Sequence, residues 1–335
     1  MPKKAIGILG TGAYAPERIL TNKDLEQMVE TSDEWIVSRT GIKERRIAAQ
    51  GDAASDLAVR AAERAISRAG LTPSQIELII CATVTPDMMF PSTACLIQAK
   101  LGIKNAPAFD LSAGCSGFTY ALAVGAQLAQ EAYRYVLVVG VDVLSKITDY
   151  TDRSTCVLFG DGAGAAVLGP VPEGYGILAA ELGADGGGGD LLKLPAGGSL
   201  KPASVDSVGQ GEHFIKMAGN EVFKFAVRIM DRAAGAVLEK AQLAPDDVAW
   251  FVPHQANVRI IQAAAARLEV PLERFFVNVD RYGNTSAASI AIALDELARS
   301  GELHHGQNVV TVGFGAGLTW AAVALRWWER GETHG

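Results

Sequence analysis

The sequence is short of cysteine, histidine, aromatic residues and charge, and each shortage closes off a class of protein. Four cysteines in 335 residues are too few and too scattered for a disulfide framework. Cys81, Cys95 and Cys156 sit in apolar or mixed stretches, as small buried hydrophobes do; Cys115 stands apart. The five histidines include His304 and His305 in a turn-like stretch and His334 in the tail, and no metal-ligand spacing occurs. No apolar run reaches the ~20 residues of a membrane span, and Met1–Gly7 lacks the apolar core of a signal peptide. The expectation is a cytoplasmic protein with no metal and no membrane association. Acidic residues outnumber basic ones, 37 to 30, for a net charge of −7, which argues against a nucleic-acid partner. An acidic partner would need a local basic patch.

What the chain does have is apolar residues, at 49%, and an internal repeat. Ala61–Ile76 reads AAERAISRAGLTPSQI and Ala233–Val248 reads AAGAVLEKAQLAPDDV, 172 residues apart and without a gap through Ala69/Ala241, Leu71/Leu243 and Pro73/Pro245. Each copy has a helical apolar period, a Leu-x-Pro break and an apolar strand, Ile76–Ala82 or Val248–Pro253. Phe109-Asp110-Leu111 leading to Gly114-Cys115 is echoed by Asn278-Val279-Asp280 leading to Gly283-Asn284. Gly160–Gly164 is echoed by Gly313–Gly317. The chain is too long for one core, so the repeat predicts an α/β protein of two similar halves, 1–172 and 173–335, joined around Gly169–Gly174. Tyr135–Gly140 and Val309–Gly313 suit sheets buried on both faces. Phe275–Val279 also reads as a strand, and Gly183–Asp190 as a turn.

Three polar residues carry the chemical interest. Cys115 follows an extended apolar run and precedes a helix predicted over Phe118–Gln130. A thiol there faces unpaired N–H groups and the positive end of a helix dipole, both favouring the thiolate. A structural cysteine fits the same segment equally well. His254 follows the strand VAWFVP, a position suited to proton transfer or hydrogen bonding; taken alone it reads as a histidine satisfied by loop backbone. Asn284 taken alone reads as a turn or N-cap residue. In the repeat, however, Asn284 holds the place of Cys115, so pseudo-symmetry brings all three to one cleft. Gly10-Thr11-Gly12 imitates part of a dinucleotide fingerprint, but Pro16 falls where a helix is required and no acidic residue follows at the proper spacing. A nicotinamide site is rejected. Gly313–Gly317 can present N–H groups to a substrate oxygen.

The blocks TSDEWIVSRTGI (Thr31–Ile42), the Cys115 segment, FGDGAGAAVL (Phe159–Leu168), MAGNEVFK (Met217–Lys224), PHQAN (Pro253–Asn257), GNTSAAS (Gly283–Ser289) and GFGAGLTW (Gly313–Trp320) together resemble β-ketoacyl-acyl carrier protein synthase III, the initiating condensing enzymes of bacterial fatty acid synthesis. The resemblance covers essentially the whole chain. It implies a thiolase-like fold in five αβαβα layers, a homodimer, and a Cys115–His254–Asn284 triad. An acyl-CoA would load Cys115, with the oxyanion held by the N–H groups of Cys115 and Ala316. Malonyl-acyl carrier protein would then lose CO2 beside His254 and Asn284. CoA would be a substrate, with no separate cofactor.

The same resemblance implies that Trp35 and Arg153 flank the CoA adenine, while Thr31, Arg39, Phe223 and Asn257 line its tunnel. Leu144, Phe314 and a neighbouring subunit's Phe90 would shape the acyl pocket. Lys224, Arg228 and Arg259 would receive the acidic carrier protein. Ala316 where some members have Gly, Tyr150 where Pro is common, and a tail running from Trp328 depart from the pattern and bear on starter choice. Against this stand a cysteine thioesterase on the same scaffold, a non-catalytic acyl-binding module, and a condensing enzyme of secondary metabolism.

Overall fold

The strand Val136–Val143, VLVVGVDV, has every residue buried, which requires cover on both faces. The structure, a computed structural model, describes residues 4–329; His334 and the end of the C-terminal tail lie outside them. The strands that build the two main sheets are β1 (Ile6–Tyr14), β2 (Leu78–Ala82), β3 (Ala108–Leu111), β4 (Val136–Val143), β5 (Asp161–Pro170), β6 (Gly176–Ala184), β7 (Val248–Pro253), β8 (Asn308–Gly315) and β9 (Thr319–Arg326). The helices that cover them or frame the site are α1 (Asp33–Thr40), α2 (Ala54–Arg68), α3 (Thr93–Lys100), α4 (Gly117–Glu131), α5 (Gly219–Ala241), α6 (Val258–Arg267) and α7 (Ala288–Ser300).

Alternation along the strands sorts side chains into layers. In β4, Leu137, Val139 and Val141 pack against α2 and α3, while Val136 and Val138 face α4 and α7. In β8, Val309 faces those same central helices, and Val310 and Val312 face α5 and α6. The result is helix, sheet, helix, sheet, helix: five layers, as the sequence led us to expect.

The first sheet runs β1-β5-β4-β2-β3 and the second β6-β9-β8-β7. The central pairs β2/β4 and β7/β8 are parallel, and the outer pairs β1/β5 and β6/β9 are antiparallel. Thus the two sheets repeat one another strand for strand, except at the position of β3. There the expected strand at Phe275–Val279 is reduced to a single bridge between Phe251 and Phe275. The side chain of Gln255 takes over the missing pairing: it accepts from the Asn278 N–H at 2.9 Å and donates to the Phe276 carbonyl at 3.0 Å. The chain then turns into a short helix, Val279–Tyr282.

Glycines allow the layers to close. A Cβ on Gly12 would stand 2.2 Å from the Ala61 carbonyl oxygen of α2, so the glycines that imitated a phosphate loop lie in a strand beneath a helix. On the opposite face, a Cβ on Gly140 would stand 2.4 Å from the Ala287 carbonyl oxygen. That contact draws α7, a helix of the second half by sequence, onto the first sheet. Because Gly12 meets backbone that cannot rotate away, Gly12→Ala is expected to cost roughly 1–3 kcal/mol by overpacking. A lowered urea midpoint with an unchanged slope would bear this out; an unchanged midpoint would contradict it.

Candidate active site

Cys115 sits in a single 3-10 turn, Gly114–Ser116, that runs directly into α4. Gly114 has φ +54, and a Cβ there would lie 2.7 Å from the Ala316 nitrogen. Reciprocally, a Cβ on Gly315 would lie 2.4 Å from the Cys115 nitrogen. The two glycine-rich segments therefore interlock, which places the Cys115 and Ala316 amides side by side. The Ala316 N–H has no acceptor among the described residues. Thr319 pins the pair by donating to the Ala113 carbonyl at 2.8 Å.

His254 emerges at the end of β7, its N–H donating to the Val312 carbonyl at 2.8 Å. Its Nδ1 lies 2.6 Å from Ser289 Oγ, and Phe314 packs edge-on against the ring at 5.1 Å between centroids. Asn284 is bound through its backbone to Leu158 and Gly160, at 2.9 and 3.0 Å. Its Oδ1 accepts from the Ser286 N–H at 2.8 Å, which leaves the amide NH2 without an acceptor among the described residues. The turn that follows is tied to the first half by Asp142. This fully buried carboxylate accepts from Thr83, Val84 and Thr85 on one oxygen and from the Ala287 N–H, at 3.1 Å, on the other. Asp142, Ser286, Ser289 and Gln255 were not singled out from sequence. The signal for Asp142 was present: a lone acid in an apolar buried strand needs a dedicated set of donors.

Cys115 stands where two cavities meet. One, of about 270 Å³, is lined by Trp35, Arg39, Phe223, Asn257, Phe314, His254 and Asn284, among others. The second, of about 180 Å³, is almost wholly apolar and includes Leu144, Ile147, Leu192, Ile215 and Ser286. Phe314 lines the first cavity, against His254, and not the apolar one beside Leu144 with which the sequence analysis grouped it. The Asn257 side chain caps α6 at the Arg259 N–H and donates to the Arg39 carbonyl at 3.0 Å, so it builds the tunnel wall. Arg153 lies outside the tunnel lining with its guanidinium 5.1 Å from the Trp35 ring centroid, and Thr31 also lies outside the lining. Phe90 is 84% exposed and borders neither cavity. Lys224, Arg228 and Arg259 are exposed; Lys224 pairs with Glu221 at 2.9 Å, and Arg259 lies 5.6 Å from the Phe223 ring centroid.

Residues 109–186 match the family described as 3-oxoacyl-[acyl-carrier-protein] synthase III, and residues 238–327 match its C-terminal family. A β-ketoacyl-[acyl-carrier-protein] synthase III of Caldanaerobacter subterraneus is 59% identical over 97% of this chain and 98% of its own. The solved structure of a synthase III from Thermus thermophilus is 51% identical, covers 97% of this chain and 100% of that one, and superposes with a TM-score of 0.90. One from Aquifex aeolicus is 48% identical over 96% and 100%, with a TM-score of 0.89. The five layers are thus those of the thiolase fold.

Burial governs the electrostatics. Burial pushes the Cys115 thiol up to about 12, and a hydrogen bond from Ser286 opposes that shift only in part. Burial likewise holds His254 down to about 3. Burial thus works against the thiolate that the helix amides favour, and against a charged imidazole in the same cavity. Alkylation of Cys115 by iodoacetamide should accelerate about tenfold per pH unit through neutrality, following the thiolate fraction. A rate already level below pH 8 would show a resting thiolate instead.

Proposed function

The chain belongs to the β-ketoacyl-acyl carrier protein synthase III family, and from that membership we propose how its residues divide the work. The reaction is the decarboxylative condensation of an acyl-CoA starter with malonyl-acyl carrier protein, which initiates fatty acid synthesis. In our reading, Cys115 Sγ attacks the acyl-CoA carbonyl carbon. A new C–S bond forms, the bond to the CoA sulfur breaks, and the thiol proton departs with CoA. The amides of Cys115 and Ala316 receive the oxygen as it becomes negative. Malonyl-acyl carrier protein then replaces CoA and releases CO2. The electrons of the broken C–C bond pass into an enolate whose oxygen lies between His254 and the Asn284 NH2. The enolate carbon attacks the acyl carbonyl carbon, and the sulfur leaves and regains a proton from water.

The observation that carries this reading is the convergence of Cys115, His254 and Asn284 on one cavity, with the Asn284 donor unspent. Neutral donors suit an enolate; a carboxylate at the same place would repel it. In this scheme the half carrying Cys115 ends near residue 172, and the half from 173 onward supplies His254 and Asn284. Trp35 and Arg153 flank the CoA adenine once the Arg153 guanidinium swings off the indole it rests on at 5.1 Å, with Thr31 and Arg39 alongside, Phe223 as wall and Asn257 as its support. The acyl chain enters the second cavity past Leu144. Its 180 Å³ exceeds the about 150 Å³ that accommodates benzene in an engineered apolar cavity, so starters larger than acetyl fit. Lys224, Arg228 and Arg259 receive the acidic carrier protein. No step requires a metal or a separate cofactor. The four free cysteines suit a reducing compartment, and we take the cytoplasm as its place. No helix among the described residues is long and apolar enough to cross a membrane.

A second copy of the chain completes the assembly. Met89 and Phe90 are 76% and 84% exposed, and a groove of about 510 Å³ lined by Met89, Leu194 and Ala196 borders the acyl cavity through Val84 and Ile147. Such an apolar patch calls for cover, and the partner's Phe90 would close the acyl pocket. Sedimentation should give twice the 35.2 kDa of one chain, with Phe90→Asp weakening the dimer; a monomer at micromolar concentration would contradict this.

The triad is tested by separating the half-reactions. Cys115→Ala should take up no label from acyl-CoA. His254→Ala and Asn284→Ala should still be acylated, yet condense about 10²–10³-fold more slowly, the loss that follows removal of one oxyanion donor. Normal condensation by Cys115→Ala would falsify the scheme.

A further inference from the structure

A neutral imidazole carries hydrogen on only one of its two nitrogens, so the partner of one nitrogen decides what the other can do. His254 Nδ1 lies 2.6 Å from Ser289 Oγ, and the two residues are 1% and 2% exposed. Water does not compete for this contact. A hydroxyl can either donate or accept, so the contact alone fixes no direction. The surroundings of Ser289 do. The backbone N–H of Gln255 points at the same oxygen from 3.5 Å, which supplies the oxygen with a donor. Among the described residues, the Ser289 hydroxyl hydrogen has no acceptor other than His254 Nδ1.

Both ends of the contact are held by rigid elements. Ser289 lies in the first turn of α7, where its own N–H donates to the Ser286 carbonyl at 3.1 Å. Just before it, the Ala287 N–H is held by Asp142. The Gln255 backbone is fixed by its side chain, which donates to the carbonyls of Pro253 and Phe276 and accepts from the Asn278 N–H. The ring of His254 lines the tunnel, and its Nε2 has no partner among the described residues.

We propose that Ser289 is a positioning residue that donates to His254 Nδ1 and so keeps the ring hydrogen on Nε2, aimed into the cavity as the donor to the enolate oxygen. The assignment rests on the reading of His254 as a condensation residue. It also accounts for the predicted separation of acylation from condensation. A ring that already holds hydrogen on Nε2 has no lone pair there to take the Cys115 proton, so it serves the second half-reaction.

The test uses the full-length protein with 15N-labelled histidine, together with Ser289→Ala, Ser289→Thr and His254→Ala. Long-range 1H–15N spectra should show the Nε2–H form for His254 in the parent and a loss of that preference in Ser289→Ala. The condensation kcat of Ser289→Ala should fall about ten- to a hundredfold, in line with other partners that orient a working histidine. Acylation of Cys115 and the KM for malonyl-acyl carrier protein should stay near the parent values, and Ser289→Thr, which keeps the hydroxyl, should recover most of the rate. An Nδ1–H form in the parent overturns the proposal. So does an unchanged kcat in Ser289→Ala while His254→Ala is impaired. A joint loss of acylation and condensation that Thr does not recover assigns Ser289 to packing alone, and overturns it as well. Normal condensation by His254→Ala is a different result: it removes the role of His254 itself.

Discussion

A carboxylate sealed from water joins the two halves of this molecule at the point where its chemistry is assembled. Asp142 ends a run of apolar residues in β4, and its two oxygens reach donors on both sides of the junction: Thr83, Val84 and Thr85 from the first half, Ala287 from the second. Burial raises its pKa, and these hydrogen bonds work against that rise. Gly140, two residues earlier, lacks the Cβ that would collide with the Ala287 carbonyl. Together they bring the turn carrying Asn284 onto the sheet that carries Cys115. Loss of that junction would leave both side chains intact and the site unformed.

The same seal shapes the chemistry. In the proposed scheme an acyl group on sulfur would be open to hydrolysis, and the largely apolar pocket beside Cys115 would protect it. Dryness also disfavours charge, so Cys115 and His254 both rest neutral. In the proposed scheme the site would work by placing donors where negative charge develops: two backbone amides for one oxygen, a side-chain amide and an imidazole for another. Such donors need no reorganisation at the moment of reaction. Two serines contact these side chains: the Ser286 N–H donates to Asn284 Oδ1, and Ser289 Oγ lies against His254 Nδ1.

Much of this was legible in the sequence. The repeat anchored by Pro73 and Pro245 foretold the strand-for-strand match of the sheets, and β7 begins and ends where the apolar run VAWFVP does. The three candidate residues were singled out because the repeat placed Asn284 opposite Cys115, and they line one cavity. What escaped depended on contacts between distant side chains. Phe275–Val279 has the composition of a strand, but Gln255 takes its hydrogen bonds and the chain turns away. Gly10 and Gly12 look like a phosphate loop until the packing of α2 is seen. A helix start that favours a thiolate at Cys115 is visible in sequence, whereas the depth of burial that opposes it is not. Ser289 could not be chosen from GNTSAAS, since only the fold shows which of its hydroxyls meets the imidazole.

The central claim is that three polar side chains from distant stretches surround one thioester in a water-poor cavity. A crystal structure of the acylated protein tests it most directly. The acyl group should be bonded to Cys115 Sγ, with its carbonyl oxygen about 3 Å from the Cys115 and Ala316 nitrogens, and with His254 Nε2 and the Asn284 NH2 facing the adjoining tunnel. An acyl group carried elsewhere, or one on Cys115 with either side chain turned out of that cavity, would contradict the account.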